Sequence, residues 1–183
     1  MNTTNVEPAS GTTPRGHRWL ARLPVLLVLA FLTFRFIQIH RLHAPKQINR
    51  GTLALVNLDG TSIASARTSG KAVVLNYWAP WCPPCKLEIP WLQRIQDLHP
   101  NDLVVVGVVA DPDEYTHAQA FMISRGVSYM LARETPSLDH MVGAVSSLPT
   151  TLYISPSGRV VHATSGLIPE ALMKRYAADA LSR

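Results

Sequence analysis

The sequence predicts an α/β domain, a central mixed sheet with flanking helices, preceded by one transmembrane helix. Three observations predict it. Apolar, β-branched runs at 72–77 and 103–109 are each followed by a stretch of helical periodicity. Two further strand-like runs flank Pro156-Ser157-Gly158, close enough in the chain to pair as a hairpin. A separate apolar stretch, Leu20 to Ile39, stands near the N-terminus.

The N-terminal part divides in three. Residues 1–18 are polar, rich in Thr, Asn, Pro and Gly, and are expected to be a disordered tail. Residues 19–39 are expected to be an uncleaved signal anchor. Their uncharged core runs from Leu23 to Phe34, no small-x-small cleavage site follows, and Arg22 and Arg35 can snorkel to the interfaces. Residues 40–50 read as a linker, in which His40 and His43 are juxtamembrane surface groups, and 51–183 as the folded domain. Residues 1–50 contain seven Lys/Arg and one Asp/Glu, whereas 51–183 contain ten and eleven. The basic charge therefore belongs to the tail, and no nucleic-acid face is expected. Cations on both sides of the apolar core leave its orientation undecided by the positive-inside rule.

Within the domain, 53–58 and 61–63 flank Asp59-Gly60, a hairpin signal. The run at 72–77 reads as a buried strand. A helix is expected from Pro83 to Leu98, kinked at Pro90, with Leu87, Trp91, Leu92 and Ile95 on one face. The continuous apolar run 103–109 is a strand covered on both sides. Asp111 or Asp113 should cap a helix ending near Ser124, with Gly126 as its stop. A short strand at 129–131 and a short helix at 137–141 follow. Then come strands at 150–155 and 159–163, and a last helix from Pro169 with Leu172, Met173, Tyr176 and Ala180 inward.

The only two cysteines, Cys82 and Cys85, fall where the first strand ends and the first helix begins. A thiol there meets unsatisfied N–H groups and the positive end of the helix dipole, both of which favour thiolate. A structural disulfide across a two-residue gap would close almost no loop. A zinc site lacks a second Cys-x-x-Cys, and His99 is too distant in sequence to complete a cluster. Packing as inert core thiols does not suit a loop rich in Trp and Pro. The junction favours a dithiol that exchanges with disulfides.

Trp81-Cys82-Pro83-Pro84-Cys85, with Trp78 before it and Pro90 after, resembles the thioredoxin superfamily. Asn76 in the preceding strand and the pattern Cys-x-x-Cys-Lys-x-Glu-x-Pro through Glu88 resemble its TlpA/ResA-like branch of extracytoplasmic, membrane-tethered thiol-disulfide oxidoreductases. Ser147 to Ile154 resembles the branch's cis-proline strand, and Ser157-Gly158-Arg159 the turn after it. The resemblance covers about residues 53–183. It implies a thioredoxin-like fold with an N-terminal β-hairpin and an inserted strand and helix. It also implies a single-pass protein of the inner (cytoplasmic) membrane with its domain facing the periplasm.

The same resemblance, joined to the residue chemistry, assigns the site. Cys82, its sulfur exposed at the helix start, is expected to attack, and Cys85 to resolve the mixed disulfide. Glu88, on the face of Cys85, can take the proton, although a first-turn acid complementing the helix dipole is the plainer alternative. Trp81, Leu148 and Pro149 are expected to hold substrate, Asn76 to be structural, and Trp78 to shape the thiol's surroundings or fill core. No metal and no cofactor beyond the redox-active Cys82–Cys85 disulfide are expected. Pro83 and Pro84 lack N–H groups, which weakens thiolate stabilisation and points to a reductant. Partners would be disulfide-bearing proteins, apocytochrome c or copper-site proteins among them, and a membrane electron donor of the thiol-reducing type. A copper-site assembly factor or copper-binding chaperone using the same thiols remains the alternative, although Sco-type chaperones use a wider Cys-x-x-x-Cys and a histidine.

Overall fold

The computed structural model describes residues 24–31, 46–49, 53–143 and 145–182. Of the first 40 residues, 24–31 form an exposed helix, α1. The expected tail (1–18) and most of the expected anchor (19–39) lie outside the described residues. Among the described residues no helix is long and apolar enough to cross a membrane.

The domain is built on five strands: β1 (Ala72–Trp78), β2 (Leu103–Val109), β3 (Met130–Arg133), β4 (Thr150–Ile154) and β5 (Val160–Ser165). Their order is β3-β2-β1-β4-β5. The first three run parallel, β4 is antiparallel to β1, and β5 is antiparallel to β4. This is the expected mixed sheet. Every residue of β1 and β2 is buried, as the continuous apolar runs require of central strands.

Alternation along β1 divides the core. Val74 and Trp78 face α2 (Pro83–Leu98), α3 (Tyr115–Ser124) and α5 (Glu170–Leu181), joining Cys85, Ile89, Leu92, Met122 and Met173. Val73, Leu75 and Tyr77 face the opposite layer, made by Ile48, Leu53, Leu55 and Ile63 with α4 (Pro136–Val142). Strand β3 and helix α4 are the inserted elements expected between the cysteines and Pro149.

Several expectations need correction. The N-terminal β-hairpin is reduced to one bridge, Val56 to Ser62, around a turn in which Asp59 accepts from the Thr61 N–H and hydroxyl. Asn57 N–H donates to Thr61 O and Ile63 N–H to Leu55 O beside the bridge, Leu53, Leu55 and Ile63 are buried, and Val56 O accepts from Arg133 N–H at 2.8 Å. Residues 46–49, read as linker, lie against the β4–β5 turn. Ile48 is buried and its N–H donates to Gly158 O at 2.8 Å. Asp111 caps a separate 3-10 turn, Pro112–Glu114, and α3 starts only at Tyr115. Strand β3 begins at Met130, not Tyr129, whose buried ring joins the core on the α2 side.

Candidate active site

Strand β1 delivers the chain to Trp78, and a turn over 79–81 places Cys82 as the N-cap of α2. The Cys82 sulfur accepts from Cys85 N–H at 3.4 Å. Pro83 and Pro84 occupy the first two helical positions and donate nothing, so the helix start directs this one amide at the sulfur. The two cysteines are joined as a disulfide.

The expectation of an exposed Cys82 sulfur does not hold. Cys82 is 4% exposed and Cys85 0%. Trp81, 58% exposed, and the loop before β4 line the same groove as Cys82. Cys82 instead opens into a groove of about 480 Å³ whose wall includes Trp81, Pro83, Glu134, Val145 and Leu148. Trp81 is held by its indole N–H, which donates to Asp111 Oδ2 at 2.9 Å.

The Leu148–Pro149 peptide is cis. Leu148 lines the groove, while Pro149 is buried behind it. The loop is fixed on both sides: Thr150 Oγ1 donates to Ser147 O at 2.7 Å, and Gly166 N–H to Pro149 O at 2.7 Å. Of the six site residues expected from the sequence, Trp81, Cys82 and Leu148 meet in the groove. Cys85, Glu88 and Pro149 form the layer beneath.

Glu88 lies one turn past Cys85 on the buried face of α2, 1% exposed. Burial pushes its carboxyl up to about 7, against the opposing pull of the Asn76 hydrogen bond. It is therefore no solvated first-turn acid. Asn76 Nδ2 donates both to Glu88 Oε1 at 2.5 Å and to Thr151 Oγ1 at 2.9 Å. Thr151 follows Pro149 by two residues, so this bond ties the buried carboxyl to the cis-proline strand. Tyr129 and Tyr153 are buried on the same side. Their phenols are pushed up first by burial and then by the Glu88 charge, so they stay protonated.

Asn76, read as structural, is the buried hydrogen-bond donor to Glu88 and Thr151; one further residue, Glu134, was not singled out from sequence. Glu134 enters the groove from the end of β3, and nothing in its local sequence marks it. Trp78 is wholly buried and packs 6.0 Å from Phe121, which makes it core. Gly107, opposite Asn76 in the β1–β2 register, leaves room for Trp78 and Tyr129; a Cβ there would lie 3.0 Å from Trp78 Nε1 and 3.1 Å from Tyr129 Cε2. Among the described residues, no group of three His, Cys, Asp or Glu is placed to hold a metal.

Residues 43–181 match the redoxin family. The chain belongs to that family. Within it the relatives are ResA-like. The chain is 31% identical over 122 residues to the thiol-disulfide oxidoreductase ResA of Bacillus subtilis strain 168, covering 67% of this chain and 68% of the relative. It is 27% identical over 166 residues to ResA of Halalkalibacterium halodurans, covering 87% and 93%. Among solved structures, a thiol:disulfide interchange protein of the thioredoxin family from Chlorobium tepidum TLS aligns with a TM-score of 0.59 at 26% identity, covering 77% of this chain and 99% of that one. This redoxin has the thioredoxin-like fold and is a thiol-disulfide oxidoreductase whose redox group is its own Cys82–Cys85 pair.

Proposed function

We propose that this redoxin is a reductant of protein disulfides, anchored in the inner membrane by residues 19–39 with its domain in the periplasm. In this reading it serves cytochrome c maturation. The observation that carries the reductant reading is the proline pair at the helix start, which leaves the Cys82 sulfur only the Cys85 amide. A thiolate so poorly stabilised makes the dithiol form less stable relative to the disulfide. The anchor and the compartment are supported by the apolar stretch after a basic tail and by the Cys-Lys-x-Glu-x-Pro pattern.

The reaction starts from the reduced pair. The Cys82 thiolate attacks one sulfur of a substrate disulfide lying in the groove, and the other substrate sulfur leaves as thiolate. Trp81 and Leu148 flank the attacking sulfur, and an extended substrate chain can lie along the Leu148 backbone, backed by Pro149. Cys85 then gives its proton to the Glu88 carboxylate and attacks the Cys82 sulfur. The intramolecular disulfide forms, the second substrate thiolate departs and takes a proton from water. A membrane dithiol donor restores the reduced pair. Glu88 suits its task because burial holds its proton affinity near neutrality.

Variant trapping tests the roles. Cys85→Ser should accumulate mixed disulfides with substrate, and Cys82→Ser none; equal trapping by both would refute the assignment. Alkaline phosphatase fused after Arg183 should be active and sediment with membranes. A soluble product beginning near Ala44 would refute the anchor. Insulin reduction without stoichiometric copper binding would separate this reading from a copper chaperone.

A further inference from the structure

One wall of the Cys82 groove holds a carboxyl with no part in thiol exchange. Glu134 leaves the end of β3 with its N–H donating to Val109 O at 3.3 Å. That bond fixes its backbone at the end of β3, and Glu134 lines the groove with Cys82, Trp81 and Leu148. Thr135 then caps α4, accepting from Leu138 N–H at its hydroxyl and from Asp139 N–H at its carbonyl. This turn folds Asp139 back toward Glu134, near enough for its carboxyl to act on that of Glu134.

Among the described residues, no cation is paired with Asp139 or Glu134. Arg133, its neighbour in sequence, donates instead to Leu58 O at 2.7 Å and lies over the Tyr115 ring at 5.1 Å. From β1 the Tyr77 hydroxyl is wholly buried without a hydrogen-bond partner, and its phenol feels the charges of Asp139 and Glu134 after the larger effect of burial. From α3, Tyr115 feels Glu134 and Asp111 as well as Arg133. Asp111 itself is engaged by the Trp81 indole. Among the described residues, the groove beside the attacking sulfur therefore presents a carboxyl that enters no ion pair.

We propose that Glu134 determines specificity, selecting disulfides flanked by a basic side chain. The proposal rests on the reductant reading given above. A lysine or arginine beside the substrate cysteine would supply the missing cation as the disulfide settles on Cys82. Burial first, and then the Asp139 charge, raise Glu134 to about 6. Selection is thus weak when Glu134 is protonated and full when it has ionised.

The test compares three peptide disulfides that differ only in one residue beside the cysteine: Lys, Gly or Glu. The full chain, reduced, is assayed for kcat/KM on each from about pH 5 to about pH 8, a span that brackets the Glu134 transition. The Lys-to-Gly ratio should rise through about pH 6 to roughly three- to tenfold, the range of a partly exposed ion pair. The Glu peptide should fall below the Gly peptide over the same span. Taking ratios cancels the titration of the thiols, which all three substrates share.

In Glu134→Gln the ratio should be flat and close to unity. In Asp139→Asn its midpoint should move to lower pH, because the neighbouring charge is gone. Asp97→Asn makes the same change in net charge at the other end of α2, and should leave the ratio and its midpoint as they are. A wild-type ratio near unity at every pH overturns the proposal without any variant. So does a wild-type ratio retained by Glu134→Gln, or an equal loss in Asp97→Asn. Failure to reduce even the Gly peptide would instead overturn the reductant reading on which the proposal rests.

Discussion

Asn76 Nδ2 donates to Glu88 Oε1 across the sheet–helix interface, in a layer where Asn76 is 0% and Glu88 1% exposed. Without this bond the carboxyl would be held protonated by burial alone. With it, the charged form gains a donor in a place where water cannot supply one. The pair thus keeps Glu88 near 7 rather than higher, close to where a proton acceptor for Cys85 is useful.

Asn76→Ala should therefore shift Glu88 upward. A hydrogen bond to a charged group is worth about 1.5–3 kcal/mol, equivalent to roughly one to two pH units. The rise of disulfide-reduction rate with pH, centred near 7 in the wild type, should move up by about that much. A profile that stays in place would mean that Asn76 does not tune Glu88.

Glu88→Gln tests the same carboxyl through stability. Its folded-state value, about 7, is raised above the ordinary glutamate value of 4.5. Between these two values the folded protein keeps a proton that the unfolded chain has lost, so stability falls as pH rises through that window. The slope is at most about 1.4 kcal/mol per pH unit. Urea denaturation of the oxidised protein on either side of the window should show this loss in the wild type and little of it in the glutamine variant. Turnover should fall by about a hundredfold, the low end of the range for a lost general base. An unchanged slope would place the titrating group elsewhere.

Gly107→Ala should destabilise the domain by about 1–3 kcal/mol, as overpacking of a dense core does. The new methyl would press on the Trp78 indole and the Tyr129 ring, both of which are buried. Thermal denaturation of the variant gives the answer; a wild-type midpoint would show that the rings can move aside.

The sequence made the site's axis legible because its signals are local. Strand β1, the Cys-x-x-Cys and helix α2 follow one another within 27 residues, and each has its own periodicity or punctuation. Lateral relations were not legible. Asn76 and Thr151 are 75 residues apart, and their bond exists only because β4 enters the sheet antiparallel beside β1. Glu134 reaches the groove through the parallel pairing of β3 with β2, a register that no motif announces. Leu53, Leu55 and Ile63 looked like a hairpin because alternation signals one buried face, whatever covers it. Here that face is the second core layer, and the pairing amounts to the Val56–Ser62 bridge with the flanking bonds Asn57 N–H to Thr61 O and Ile63 N–H to Leu55 O. The exposure of Cys82 was misjudged for the same reason: a helix N-terminus is exposed by default, and the groove into which this one opens is lined by Trp81 and a loop 66 residues further on, at Leu148.

The last prediction concerns the prolines. As N-cap of α2, Cys82 would ordinarily face several amides of the first turn, yet Pro83 and Pro84 contribute none and only Cys85 N–H reaches its sulfur. Pro84→His restores an amide and adds an imidazole that can be positively charged. Pro83→Gly restores an amide alone. Both should lower the Cys82 thiol's proton affinity and stabilise the reduced form, making the pair more oxidising, and the histidine should do more. For a two-electron couple about 30 mV is a tenfold change in equilibrium, well within reach of equilibration against a glutathione buffer. The order wild type, then Pro83→Gly, then Pro84→His, from most to least reducing, is the expected result. Potentials that do not move with either substitution would remove the proline pair as the cause of reducing character. A wild-type potential as high as that of a disulfide-forming catalyst would contradict the reductant reading itself.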